Sequence, residues 1–187
     1  MEEEIKNTLE ILKNGGVILY PTDTIWGIGC DATNEKAVKR IFEIKEREDN
    51  KSMLVLVDDA NRIPSYIDTM PEIAWDLIEF TTKPLTIIYS GAKNLAKNLI
   101  GSDGTIGIRV SSEPFTKKLV QRFKKPIVST SANISGQPFA AKFSQVDNEI
   151  IKKVDYVVNY RREENIEFSP SSIIQLGVKG EIKIIRE

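Results

Sequence analysis

Histidine is absent from this 187-residue chain, and cysteine occurs once, as Cys30. Without imidazole, Ser-His and Cys-His catalysis of the usual kind is excluded. One thiol cannot close an internal disulfide, and there is no Cys or His cluster from which to build a zinc site. Excess charge of one sign is lacking too: 26 Lys and Arg against 27 Asp and Glu leave a formal −1. Any site for nucleic acid or polyphosphate must therefore concentrate its cations locally. No apolar run approaches the ~18 residues of a membrane span, and the acidic, amphipathic start "MEEEIKNTLEILK" is the opposite of a secretory leader. These absences predict a cytoplasmic protein with no membrane segment. If it is an enzyme, it works by positioning substrates and by fixed charge.

What is present is an ordinary globular composition, 41% hydrophobic and 28% charged. A chain of this length can bury one sizeable core, so one domain over residues 1–187 is expected. Ile5, Leu9 and Leu12 recur at helical spacing until "NGG" stops them, and "VILY" follows as a buried strand. Thr33 or Asn34 can cap a helix carrying Ala37, Ile41 and Ile44, which "EREDNK" ends. "MLVLV", "LTIIY", "TIGIRV", "PIVST" and "VDYVVNY" read as strands, and "KNLAKNLI" and "EPFTKKLVQRF" as helices. "PEIAWDLIEF" reads as a helix with Pro71 in its first turn and Ile73, Leu77 and Phe80 on one face. "SSIIQL" and "EIKIIR" form a closing hairpin across "GVKG". Alternating βα units that end in a hairpin imply an α/β fold with a mixed sheet. The polar segment 160–171, "YRREENIEFSPS", could cover a site, but we read it as an exposed connection.

Four strand ends carry polar residues of one character: "PTDT", "RVSS", "STSAN" and "SPSS". Loops at strand ends of an α/β sheet tend to meet over one crevice, although each taken singly is an ordinary turn. Lys45 and Arg47 add fixed cations, and can converge on one ligand only if their helix stops there, since residues two apart point to nearly opposite sides. Otherwise they are solvated charges at the negative pole of the helix dipole. "STSANISG", residues 129–136, places hydroxyls, an amide and a glycine after a buried strand, a cradle suited to phosphate oxygens. It is not a Walker loop, and "GIGCDA" has no third glycine to make a dinucleotide fingerprint.

In their order and spacing, "PTDTIWGIGCDA", Lys45-x-Arg47, "KPLTIIY", "TIGIRV", Ser131-x-Asn133 and "SPSSIIQL…IIR" resemble the YrdC-like family, and within it the threonylcarbamoyl-AMP synthases of the TsaC type. The resemblance covers nearly the whole chain. It implies a twisted mixed sheet with flanking helices around a deep basic cavity. It also implies an enzyme, a nucleotidyltransferase, joining L-threonine, bicarbonate and ATP into L-threonylcarbamoyladenylate and pyrophosphate. Partner proteins would then pass the threonylcarbamoyl group to tRNA, which the chain could itself contact. By similarity, Lys45, Arg47, Ser131 and Asn133 are the catalytic and nucleotide-binding groups, with Thr130 and Arg186 also on the nucleotide. Thr22, Arg109, Ser171 and Ser172 would bind threonine. Mg²⁺ would be held mainly by phosphate oxygens and water, so no protein metal ligand is expected.

The chain departs from the family pattern in three places. Leu56 lies near the position where some members have a histidine, Ser52-Met53 replaces a proline-leucine, and Thr82-Lys83-Pro84 replaces "PGP". A paralogous branch shares the opening motif but departs from Ser-x-Asn, which is intact here. The competing reading is a YrdC-like RNA-binding module, which would gather Lys and Arg on a surface and leave Thr22 and Asn133 incidental.

Overall fold

The computed structural model describes residues 1–46, 53–166 and 168–187. Helix α1 (Glu2–Lys13) carries Glu2, Glu3 and Glu4 in its first turn and Lys13 in its last, which complements the helix dipole. It is followed by β1 (Ile18–Tyr20) and β2 (Gly27–Gly29). Helix α2 (Glu35–Lys45) starts where the Asn34 side chain accepts from the Lys36 and Ala37 amides, and ends where Glu46 turns left-handed, φ 51°. Next come β3 (Leu54–Val57), α3 (Glu72–Phe80), β4 (Leu85–Tyr89) and β5 (Ile106–Val110). In α4 (Pro114–Phe123), Glu113 caps the Thr116 amide and proline takes the first turn. The rest is β6 (Ile127–Ser131), α5 (Asn148–Lys153), β7 (Tyr156–Val157), β8 (Ser172–Leu176) and β9 (Ile182–Arg186).

Three local expectations change. "KNLAKNLI" is no α-helix: Asn94 is left-handed, and only a 3₁₀ turn at Lys97–Leu99 forms, because the Ala96 amide is drawn to the Ala32 carbonyl. In α3 the inward stripe is Ala74, Leu77 and Ile78, while Ile73 is 36% and Phe80 76% exposed. The sequence pattern predicts neither β2 nor α5, since two of the three β2 residues are glycine, which is depleted in strands, and α5 is six residues long.

Among the described residues the strands form one nine-stranded sheet in the order β7-β1-β2-β6-β3-β5-β4-β8-β9. The pairs β1/β7, β3/β5 and β4/β8 are parallel and the other five antiparallel, so the sheet is mixed, as expected. Register sorts the side chains by face, because alternate residues point to opposite sides. One face carries Leu19, Ile28, Val128, Val55, Val57, Ile108, Ile87 and Leu176, and packs against α2, α3 and α5 in the larger core. The other carries Ile18, Tyr20, Ile127 and Leu56 under α1 and α4, in the smaller core. Toward β4, β8 and β9 that second face continues with Gly107, Arg109, Thr86, Ile173 and Arg186, following the pairings Leu56↔Arg109, Thr86↔Ile173 and Ile173↔Arg186. Leu56, where some family members have histidine, belongs to the smaller core.

Candidate functional site

A cavity of about 300 Å³ opens on this second face. Its floor comes from strand register: Gly27 of β2, Ser129 and Ser131 of β6, Leu54 of β3, Arg109 of β5 and Ile173 of β8 all point to one side. The walls are Thr24, Ile25, Trp26, Met53, Thr130, Asn133, Gln137, Phe139, Pro170, Ser171 and Arg186. Of the residues singled out in the sequence, the fold thus brings Arg109, Thr130, Ser131, Asn133, Ser171 and Arg186 to one cavity. Thr22, Lys45 and Ser172 are not among its lining residues, and Arg47 lies outside the described residues.

Thr22 is occupied in shaping the turn. Its hydroxyl donates to the Ile25 carbonyl at 2.8 Å and accepts from the Thr24 amide at 3.0 Å. Because that proton is committed, the 3.0 Å contact between the two hydroxyls must be donated by Thr24. Thr24 therefore keeps acceptor capacity at the cavity wall. The resemblance gives Thr22, and not Thr24, to the ligand.

Arg109 pairs with Asp23, Nη2 to Oδ1 at 3.1 Å, with both side chains no more than 5% exposed. Neither Asp23 Oδ1 nor Arg109 Nε has a hydrogen-bond partner among the described residues, so the guanidinium retains donor capacity. Arg186 donates through Nε and Nη2 to the Ser171 carbonyl, at 2.9 and 2.7 Å. Partial desolvation at the cavity rim, and then the charge of Arg109, lower the proton affinity of Arg186. Two guanidiniums thus repel each other at one cavity, an arrangement an anion would relieve. Ser171 is held by its hydroxyl contact with Thr86 at 2.8 Å, and the Ser172 amide donates to Pro84.

The "STSAN" loop has its own fastenings. Lys45 is only 2% exposed, and its ammonium donates to the carbonyls of Ser131 and Asn133 at 2.5 and 2.7 Å. The Asn133 amide nitrogen donates to Ile134 and Gln137 carbonyls, and its Oδ1 is buried with no partner among the described residues. The segment after β7, read from the sequence as an exposed connection, is half-buried to exposed over most of its described residues and is tied to the site by its arginines. Arg161 donates to the Thr22 carbonyl, pairs with Glu164 and lies over the Phe168 ring, while Arg162 stacks on Phe143 beside Trp26. Burial pushes the Cys30 thiol up, and the residue sits in the larger core. Among the described residues no three His, Cys, Asp or Glu gather as a metal site, and no helix is long and apolar enough to cross a membrane.

Fold and cavity define an α/β protein whose sheet bears, on the part of one face that α1 and α4 leave open, a pocket in which arginine and hydroxyl groups meet apolar side chains. A family model described as "Telomere recombination", that of Sua5, YciO and YrdC, matches residues 10–187. The chain belongs to this family. A relative from Methanocaldococcus jannaschii, "Putative threonylcarbamoyl-AMP synthase", is 38% identical over 94% of this chain and 83% of its own length. "Threonylcarbamoyl-AMP synthase" of Pseudoalteromonas translucida is 35% identical over 84% of this chain and 86% of its own. The crystal structure of P. abyssi Sua5 complexed with L-threonine matches with a TM-score of 0.84 at 25% identity. That match covers 94% of this chain and 52% of the other, so the chain spans about half of that protein's length.

Proposed function

We propose that the chain is an L-threonylcarbamoyladenylate synthase, a nucleotidyltransferase acting on L-threonine, bicarbonate and ATP. The observation that carries this reading is the convergence of Arg109 and Arg186 with Thr24, Ser129, Ser131 and Asn133 on one cavity. A surface RNA-binding module would not need its cations and hydroxyls gathered in one cavity. Relatives named as this synthase, and the threonine held by P. abyssi Sua5, support the assignment.

Arg109 would receive the threonine carboxylate, and the free lone pairs of Thr24 would accept from its amine. The amine attacks bicarbonate and water leaves, giving a carbamate. A carbamate oxygen then attacks the α-phosphorus of ATP and the α–β bridging bond breaks, releasing pyrophosphate. The nucleophile belongs to the substrate, so a protein without histidine can catalyse this by alignment and fixed positive charge. Ser131, Asn133, Thr130 and Arg186 would hold the nucleotide, and Arg47 the polyphosphate. Mg²⁺ would be held mainly by phosphate oxygens and water, where it would neutralise phosphate charge. The adenylate would pass to partner proteins for transfer to tRNA.

Purified protein with L-threonine, bicarbonate, ATP and Mg²⁺ is expected to release pyrophosphate only when threonine is present. Binding of ATP without any threonine-dependent release would sink the proposal.

A further inference from the structure

Resting on that reading, we infer that Lys45 is a positioning residue that acts through the loop Ser131–Asn133, and does not itself grip the nucleotide. Lys45 is the last residue of α2, and its side chain runs inward to become one of the largest fully buried side chains. Its ammonium takes the carbonyls of Ser131 and Asn133, while its own carbonyl accepts from the Ser135 amide at 2.9 Å. One residue thus clamps the loop at both ends. A fourth tie, Ala132 amide to Trp26 carbonyl at 3.0 Å, fixes the middle of the loop to the residue just before the strand that supplies Gly27.

The clamp has an electrostatic consequence. Both carbonyl oxygens point toward an ammonium that is not part of the cavity lining, so their negative ends face away from an anionic ligand. Ser131 and Asn133 are left to present their side chains to the cavity. A buried ammonium is stable only where acceptors satisfy it, so loop and lysine hold each other in place.

The test is amide hydrogen exchange of the ligand-free protein with Lys45→Met. Ala132, Asn133, Ser135 and Gln137, whose amides are bonded within this loop network, are expected to exchange about tenfold faster or more, with the central strands unchanged. If Lys45→Met does not fold, Lys45→Leu, which likewise offers no donor, is read the same way. In a second arm, Lys45→Met and Asn133→Ala are combined and nucleotide affinity is measured. A lysine acting through the loop makes the double variant little worse than Asn133→Ala alone, whereas a direct phosphate contact makes the two losses multiply. Unchanged exchange, or multiplicative losses, would overturn the inference. Exchange is read without substrate, so an inactive wild-type protein would refute the synthase assignment and leave the result on Lys45 standing.

Discussion

At the scale of single residues, polar groups divide between those that build and those that face the ligand, and neighbours in sequence can fall on opposite sides of that division. Thr22 organises the turn and Thr24 lines the cavity, because a hydroxyl that donates to Ile25 has no proton left for its neighbour. Asp23 belongs with the builders: it meets Arg109 in a buried ion pair and accepts weakly from the Ser112 amide, at 3.4 Å. Replacing it leaves a buried guanidinium without its counter-charge, a class of change that costs about 3 kcal/mol. Asp23→Asn is therefore expected to lower the urea midpoint and to raise KM for threonine several-fold, with ATP binding little altered. Equal losses for both substrates would show that Asp23 does not act through Arg109. The sequence alone could not make this division, since Thr, Asp and Thr are also what any turn would use.

At the scale of elements, the informative strand is the one that propensity does not reveal. β2 consists of Gly27, Ile28 and Gly29, with Ile28 in the larger core and both glycines on the cavity side of the sheet. The two glycines answer to different constraints. A Cβ on Gly29 would lie 2.5 Å from the Val128 carbonyl and 2.7 Å from the Tyr20 ring. One on Gly27 would make only ordinary contacts, 3.4 Å from Ser129, Thr130 and Thr22, but would stand at the cavity wall. Gly29→Ala is thus expected to cost about 1–3 kcal/mol in urea unfolding, as overpacked cores do. Gly27→Ala should fold with nearly wild-type stability and bind substrate more weakly. If Gly27→Ala were the less stable of the two, this assignment of roles would fail. The other strands obey the same alternation: Val128 against Ser129, and Ile108 against Arg109, are one core residue and one cavity residue each. That period of two was legible in "PIVSTS" and "TIGIRV", and could have pointed to Ser129 as well as Ser131.

At the scale of the whole molecule, helices cover one face of the sheet and α1 with α4 cover part of the other, so the cavity is the remainder. Long-range polar ties hold this arrangement. Asp155, just before β7, receives both terminal nitrogens of Arg40 from α2, at 2.5 and 3.0 Å, and the Val17 amide at 2.7 Å. Arg40 above all, with the Val17 amide, holds the Asp155 carboxyl below its ordinary value. A carboxylate depressed in the folded state contributes stability above its unfolded pKa of ~3.9, and loses it as pH falls through the lower folded value. Asp155→Asn should be less stable at pH 7 by on the order of 1 kcal/mol, with solvent screening included. Its stability should also change less than wild type's below about pH 4. Equal acid dependence in urea unfolding would show that this tie does not contribute.

What the sequence by itself determined is the architecture and the neighbourhood of the site. Apolar periodicity, caps such as Asn34, and runs such as "LTIIY" are local signals, and local sterics and burial are enough to read them. The order of "PTDT", Lys45-x-Arg47, "STSAN" and "SPSS" likewise marked which loops belong together, and the family match extends over residues 10–187. Only the tertiary structure decided which atoms of those loops reach the cavity. Hydrogen-bond capacity is finite, so the proton Thr22 gives to Ile25 and those Lys45 gives to two carbonyls are withdrawn from any ligand. Distant strands must also be in register before Arg109 and Arg186 can repel each other across one pocket. The "YPTDT" stretch shows both halves: its place beside the site is written in the chain, and the choice of Thr24 over Thr22 is made by the fold.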